Sequence, residues 1–372
     1  MPIRVACALF AISLLAGGPS QVRPGVWVGA GSGTIPAPDA VYRVYMIGEM
    51  HGLADNPEFE AGWLEALHRE AGVREVAIEE DAVYEPFARA YVEGASETLP
   101  AGLCLRSGIL DALREFNRGR KGGERVRVHL VDIDSPAVAI HAHLASLRKR
   151  IPGGAAIRLP AASAISARGM AVVEALRGRA RDPAMLRELR TVAHSIGALR
   201  EGFEVGIGPG KGSPYLEDRE TAVAANLLDV ARGASGPVMA VYGADHVSKS
   251  PRGDGGPNRD QVWLPAALRL EQAGAKVYSV AMFPLSGRWR WRGREQTMLW
   301  SPRDAMLGDG IPLDRVAKEV PGARWVWVDP KRERLRLPTD DMSGLAVDAF
   351  LLPLRVSAME DRCAAASIRP AR

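Results

Sequence analysis

The sequence predicts an α/β protein, with a central, mainly parallel sheet flanked by helices and a helical cap or insertion. Three observations carry that class. Four runs rich in Val, Ile, Leu, Ala and Tyr, residues 41–47, 75–79, 125–133 and 237–243, are separated by gaps long enough for helices. Their apolar residues are continuous rather than alternating, as in strands covered on both faces. Each run also leads into acidic residues, at the strand end where open α/β sheets bind ligands.

Residues 1–25 stand apart from this pattern. Arg4 supplies a positive charge, Val5 to Ala16 is apolar, and Gly17-Gly18-Pro19-Ser20 is a small, turn-prone exit. That is the form of a secretory signal peptide, with a core too short to span a membrane. The mature chain is expected to be periplasmic or secreted, without a transmembrane span. Residues 21–39, rich in Gly, Pro and Ser, read as an extended lead-in, and residues 40–372 as a single domain.

After the first strand, Asp55 is placed to cap a helix with Pro57 in its first turn. Phe59, Trp63, Leu64 and Leu67 share one face of that helix, Gly72 stops it, and Glu75–Glu79 completes a βαβ unit. Pro136–Arg150 is a second amphipathic helix. Residues 163–203 show helical spacing and no strand, which makes about 160–205 an insertion over the sheet. A helix over 217–232 carries Arg219, Glu220 and Asn226, and another is expected over 261–273. Residues 276–282, 325–328 and 346–352 read as later strands. The glycines of 206–212 follow no strand and include Pro209, so a phosphate-binding loop is not expected there.

At 372 residues, with 47% hydrophobic and 25% charged residues, the composition is that of a globular enzyme. The net charge of +4 is spread along the chain and forms no basic and aromatic stripe, which argues against nucleic acid as a partner. Of three cysteines, Cys7 lies in the leader; Cys104 and Cys363 are left either to form a disulfide or to stand as separate thiols.

The chemistry gathers at strand ends. The first strand runs into Gly48-Glu49-Met50-His51-Gly52, the second into Glu79-Glu80-Asp81, the third into Asp132 and Asp134, and the fourth into Gly243-Ala244-Asp245-His246. Of the acids after the second strand, Glu79 is assigned to the cleft. Either Asp132 or Asp134 joins it, and Asp245 with His246 completes it. Arg219 is placed to neutralise this acidic cleft or to steady an anionic group. His129 reads as core, His141 and His143 lie on different helix faces, and His68 and His194 are surface or packing residues. Two readings fit the constellation. In one, His51 or His246 is a general base oriented by Glu49 and Glu79. In the other, Glu49, His51 and His246 bind a divalent metal that activates water. A Gly-x-Ser-x-Gly elbow is absent, which argues against the usual α/β-hydrolase mechanism.

The Gly48–Gly52 motif, the strand ending at Glu79, the helix running from Arg219-Glu220 to Asn226, and Gly243–His246 resemble, in the same order, motifs of one superfamily. It joins the erythromycin esterases, the ChaN-like haem-binding uptake proteins and the Tiki and TraB/GumN proteins. The resemblance covers roughly Val41 to Pro284. In the esterase branch it implies hydrolysis supported by Glu49, His51 and His246. The single residue between Glu49 and His51 is the spacing of the ChaN-type branch, where haem would be the ligand. The Tiki branch implies divalent-metal proteolysis. The expectation is an exported hydrolase of an ester, lactone or amide in a small-molecule or peptide substrate. The alternatives are a haem- or iron-binding protein without turnover, for which Tyr242 and Met50 are available ligands, and a metal-dependent protease.

Overall fold

The structure is a computed structural model that describes residues 18–100, 102–103, 107–133, 135–200, 213–253, 262–291, 294–298, 300–339 and 344–359. The core of the leader, Cys104, Asp134 and Cys363 lie outside these residues.

Among the described residues one large sheet dominates. Its strands are β1 (Ser20–Arg23), β2 (Val26–Gly29), β3 (Val44–Glu49), β4 (Glu75–Asp81), β5 (Arg127–Asp132), β6 (Val238–Gly243), β7 (Val277–Met282), β8 (Trp325–Val328) and β9 (Ala349–Pro353). Their spatial order is β1-β2-β8-β9-β7-β3-β6-β4-β5. The six strands from β9 to β5 are parallel, and β8, β2 and β1 extend the sheet antiparallel.

Both faces are apolar, as the continuous runs require. Alternate residues of one strand feed two cores: Tyr45 and Ile47 meet one, Val44 and Met46 the other. The first core holds Phe59, Trp63 and Leu67 of helix α1 (Asn56–Glu70), with α2 (Glu85–Val92) and α3 (Ser107–Asn117) beside it. The second holds Val223 and Leu227 of the long helix Ser213–Gly233 and Ala267 and Leu270 of the helix Ala266–Gln272. Between α3 and that long helix lie α4 (Ala137–Arg150), α5 (Ile165–Arg177) and α6 (Pro183–Arg200), which share a third apolar cluster built on Ile140, Val173 and Ile196. The helix Ser213–Gly233 is α7 and Ala266–Gln272 is α8.

The order of crossovers fixes where a ligand can bind. From β3 the chain passes over α1 to β4 on one side, whereas from β6 it passes over α8 to β7 on the other. Neighbouring strands whose connections leave in opposite directions open a crevice at their carboxyl ends.

Three expectations are corrected. The lead-in forms strands β1 and β2 at the sheet edge, because Val26 and Val28 point into the core while β2 pairs with β8. The helix expected over 261–273 starts only at Ala266, after Pro265, and Val262–Trp263 instead pairs with Arg252–Gly253. Asp55 occupies the cap position of α1, but its carboxylate accepts the Ser357 amide at 2.6 Å rather than capping the helix.

Candidate active site

Parallel pairing of β3 with β6 puts Glu49 opposite Gly243, so the two glycine-framed motifs meet at one sheet edge. The glycines make this possible. A Cβ on Gly48 would fall 2.5 Å from Val247 and 2.7 Å from the Ala244 backbone, so only glycine lets the turn that carries His246 lie over the end of β3. A Cβ on Gly243 would lie 3.3 Å from Nε2 of His51 and 3.3 Å from Cδ2 of His246. The two histidine rings therefore lie within twice that distance of each other.

Glu49 is fully buried and holds two donors. His51 Nδ1 lies 2.5 Å from its Oε1, and the Asn56 amide donates to Oε2 and, at 2.9 Å, to the Met50 carbonyl. A carboxylate only accepts, so the Nδ1 of a neutral His51 carries the proton and Nε2 is the acceptor. The His51 side chain is 39% exposed, and that of His246 is 12% exposed. His51 is thus the member of the pair that meets solvent.

His246 is enclosed by acids. Glu220 Oε1 stands 2.6 Å from Nδ1 and Glu79 Oε1 3.2 Å from Nε2. Burial lowers its pKa, but Glu220 and Glu79 outweigh burial and raise it well above the ordinary histidine value. With a carboxylate at each nitrogen, the ring is an imidazolium. Glu79 shows the reverse balance: burial raises it, while His246 and Arg219 hold it well below the usual carboxylate range. Its second oxygen accepts the Gly243 amide at 2.6 Å, and the pairing of β4 with β5 is irregular between Ile78 and Asp81, where Glu79 sits.

Arg219 binds this group together. Its Nη2 donates to Glu79 at 2.6 Å and to Asp132 at 2.5 Å, and its Nε donates to Asp132 at 3.0 Å. The guanidinium is therefore committed to neutralising buried acids rather than to steadying a substrate. Tyr242 lies beneath, with its hydroxyl pushed well up by burial and then by Glu79, Asp132 and Glu220.

Glu49, His51, Glu79, Arg219 and His246 thus converge, and Asp132 joins them. Asp245 does not: its carboxylate is 57% exposed and pairs outward with Arg252 at 2.8 Å. Two residues escaped the sequence reading. Glu220 is fully buried, and its second oxygen accepts the Ala266 amide at 2.6 Å where α8 begins; Asn56 orients Glu49 from the first turn of α1. A helical Glu beside Arg219 was visible in the sequence, but nothing there pointed it at His246.

The metal reading does not fit these donors. Both nitrogens of His246 face carboxylates, both oxygens of Glu49 hold hydrogen-bond donors, and among the described residues no three His, Cys, Asp or Glu side chains group as a metal site. The proposed haem ligands fit no better. Tyr242 is fully buried within the sheet core, and Met50 packs on Leu53, Met298 and Val356. A cavity of about 820 Å³ lies elsewhere, between β5 and helices α2, α4, α6 and α7, and several of its charges are matched in pairs such as Arg127 with Glu75 and Arg150 with Glu188.

No protein-family model and no curated protein matches the chain. Solved structures do. A histidine-to-asparagine variant of erythromycin esterase EreC in its open conformation matches with a TM-score of 0.58 at 11% identity, over 86% of this chain and 92% of that one. The chain has the erythromycin esterase fold. A succinoglycan biosynthesis protein matches this chain with a TM-score of 0.60 at 11% identity, over 85% and 88% of the two chains. A Bacillus cereus protein matches with a TM-score of 0.54 at 15% identity, over 85% and 89%. At such identities the likeness is one of fold. No helix among the described residues is long and apolar enough to cross a membrane.

Proposed function

We propose that this protein is an exported hydrolase of an ester, lactone or amide, acting on a small-molecule or peptide substrate with His51 as general base. One observation carries the reading: a buried carboxylate fixes the tautomer of an exposed imidazole whose acceptor nitrogen lies beside a buried imidazolium. Nε2 of His51 takes a proton from water, the hydroxide adds to the carbonyl, and the same imidazole returns the proton to the leaving group. His246, held by Glu220 and Glu79, is a fixed ring beside that nitrogen and needs no reorganisation as the substrate reacts. Arg219 and Asp132 keep Glu79 ionised and in place.

The test is a panel of esters, lactones and peptides offered to the wild type and to His51→Ala. Turnover by the wild type that falls by about two to four orders of magnitude in the variant is expected, the usual worth of a positioned base. No turnover on any member, or turnover that survives the substitution, overturns the reading. Export rests on the leader pattern alone. Intact mass of the protein from its native host should show cleavage near residues 17–22, and a retained Met1 would remove that part.

A further inference from the structure

The loop that carries His51 is built against a hairpin, Arg288–Trp291 paired with Arg294–Thr297. Gly52, one residue after His51, has φ +88°, and a Cβ there would overlap the Arg290 carbonyl oxygen at 1.8 Å. The Arg290 amide donates to the Gly52 carbonyl at 3.0 Å, so this approach is bonded as well as close. Only glycine permits both the backbone angle and the contact.

The hairpin has two unlike faces. Pairing of Arg290 with Glu295 and of Trp289 with Gln296 puts Arg288, Arg290 and Glu295 on one side, and Trp289, Arg294 and Gln296 on the other. On the first side Glu295 answers both arginines, at 2.7 Å and 3.4 Å. On the second, Trp289 packs with Met50 and Trp300 over Leu53, Met298 and Val356, all five hydrophobic neighbours gathered around the His51 loop. Arg294 on that side is exposed and has no ion pair among the described residues.

We propose that the Trp289 and Arg294 face of this hairpin is the substrate-selecting wall of the cleft, taking a substrate whose apolar, flat part ends in an anionic group. The proposal deepens the hydrolase reading and rests on it. Trp289, Trp300 and Met50 offer partly exposed apolar surface next to the base. Arg294 stands beyond them as the one cation of that face without a counter-ion among the described residues, and a carboxylate or phosphate on the substrate would complete it.

Two aryl esters test this: 6-carboxy-2-naphthyl acetate, whose flat ring ends in a carboxylate, and 6-methyl-2-naphthyl acetate, which is neutral. The wild type is expected to prefer the anionic ester in kcat/KM by about fivefold, the worth of one partly exposed ion pair, and to lose that preference at high salt. Arg294→Gln should bring the ratio towards one through KM, while Arg288→Gln, the same change of charge on the opposite face, should leave it. A ratio near one in the wild type, or one that both variants lower equally, overturns the proposal. If the wild type cleaves neither ester nor any member of the wider panel, the hydrolase reading fails by itself. Calorimetric titration with 2-naphthoate and 2-naphthalenemethanol then tests the wall separately. The carboxylate should bind more tightly, and less so in Arg294→Gln; equal affinities would sink the idea.

Discussion

The two histidine motifs look alike in sequence and are wired in opposite ways. At the end of β3, His51 takes its partner from two residues away, and the pair Glu49–His51 is local, with its ring open to solvent. At the end of β6, His246 ignores Asp245 beside it and takes Glu220 from α7 and Glu79 from β4. The first motif is a side chain oriented by its own loop. The second is a cation enclosed by acids from two other elements. Similar spelling therefore gives an exposed, loop-oriented ring in one place and an enclosed cation in the other, because the partner set, not the motif, fixes each ring's surroundings.

The largest expected effect separates the two directly. His51→Ala should lose about two to four orders of magnitude in turnover and cost about 1–3 kcal/mol of stability, since it removes one of the two donors to buried Glu49. His246→Ala should behave otherwise. It leaves Glu79 and Glu220 buried without their cation, and breaking a buried pair in this way costs about 3–5 kcal/mol. Urea unfolding of both variants reads the difference; equal midpoints would erase the contrast between the two sites.

The next effect is one of pH. The folded value of His246 is raised, so its contribution to stability is full below its unfolded value, about 6.5, and is lost as pH rises through the folded value. His246→Gln should flatten that alkaline decline, and an unchanged slope would remove the imidazolium from the account. Glu188 provides the opposite sign in the helical layer. Burial raises it, but His143 and Arg150 hold it at about 2, so its contribution is present above 4.5 and lost as pH falls towards 2. Glu188→Gln should lessen the acid loss without touching the alkaline one, as thermal melts across pH would show.

The smallest expected effect is at Asp245. Although it sits beside His246 in sequence, Asp245→Asn should change stability by less than about 0.5 kcal/mol and leave turnover within a factor of two, because its carboxylate points outward to Arg252. A loss comparable with that of His246→Ala would show that the sequence neighbour matters after all.

Much of this molecule was legible in the chain. Continuous apolar runs named the strands β3 to β9 within a few residues, because burial on both faces leaves no alternation to misread. Carboxyl-end acids named Glu49 and Glu79 and left Asp132 and Asp134 as alternatives, since an open parallel sheet leaves its ligand crevice there. Local spacing sufficed for Glu49 with His51, two positions apart on one strand end. It did not suffice for Glu220 or Asn56, whose partners come from other elements, nor for the commitment of Arg219 to Glu79 and Asp132. The pairings of Glu220 and Arg219 depend on the order β3-β6-β4-β5, which brings together strands that are far apart in the chain, and that of Asn56 on the turn from β3 into α1. The sequence by itself determined which groups can titrate and at which strand ends they stand. The tertiary structure decided which of them share a proton, because charge is set by neighbours a few ångströms away and those neighbours are chosen by the crossovers of the sheet.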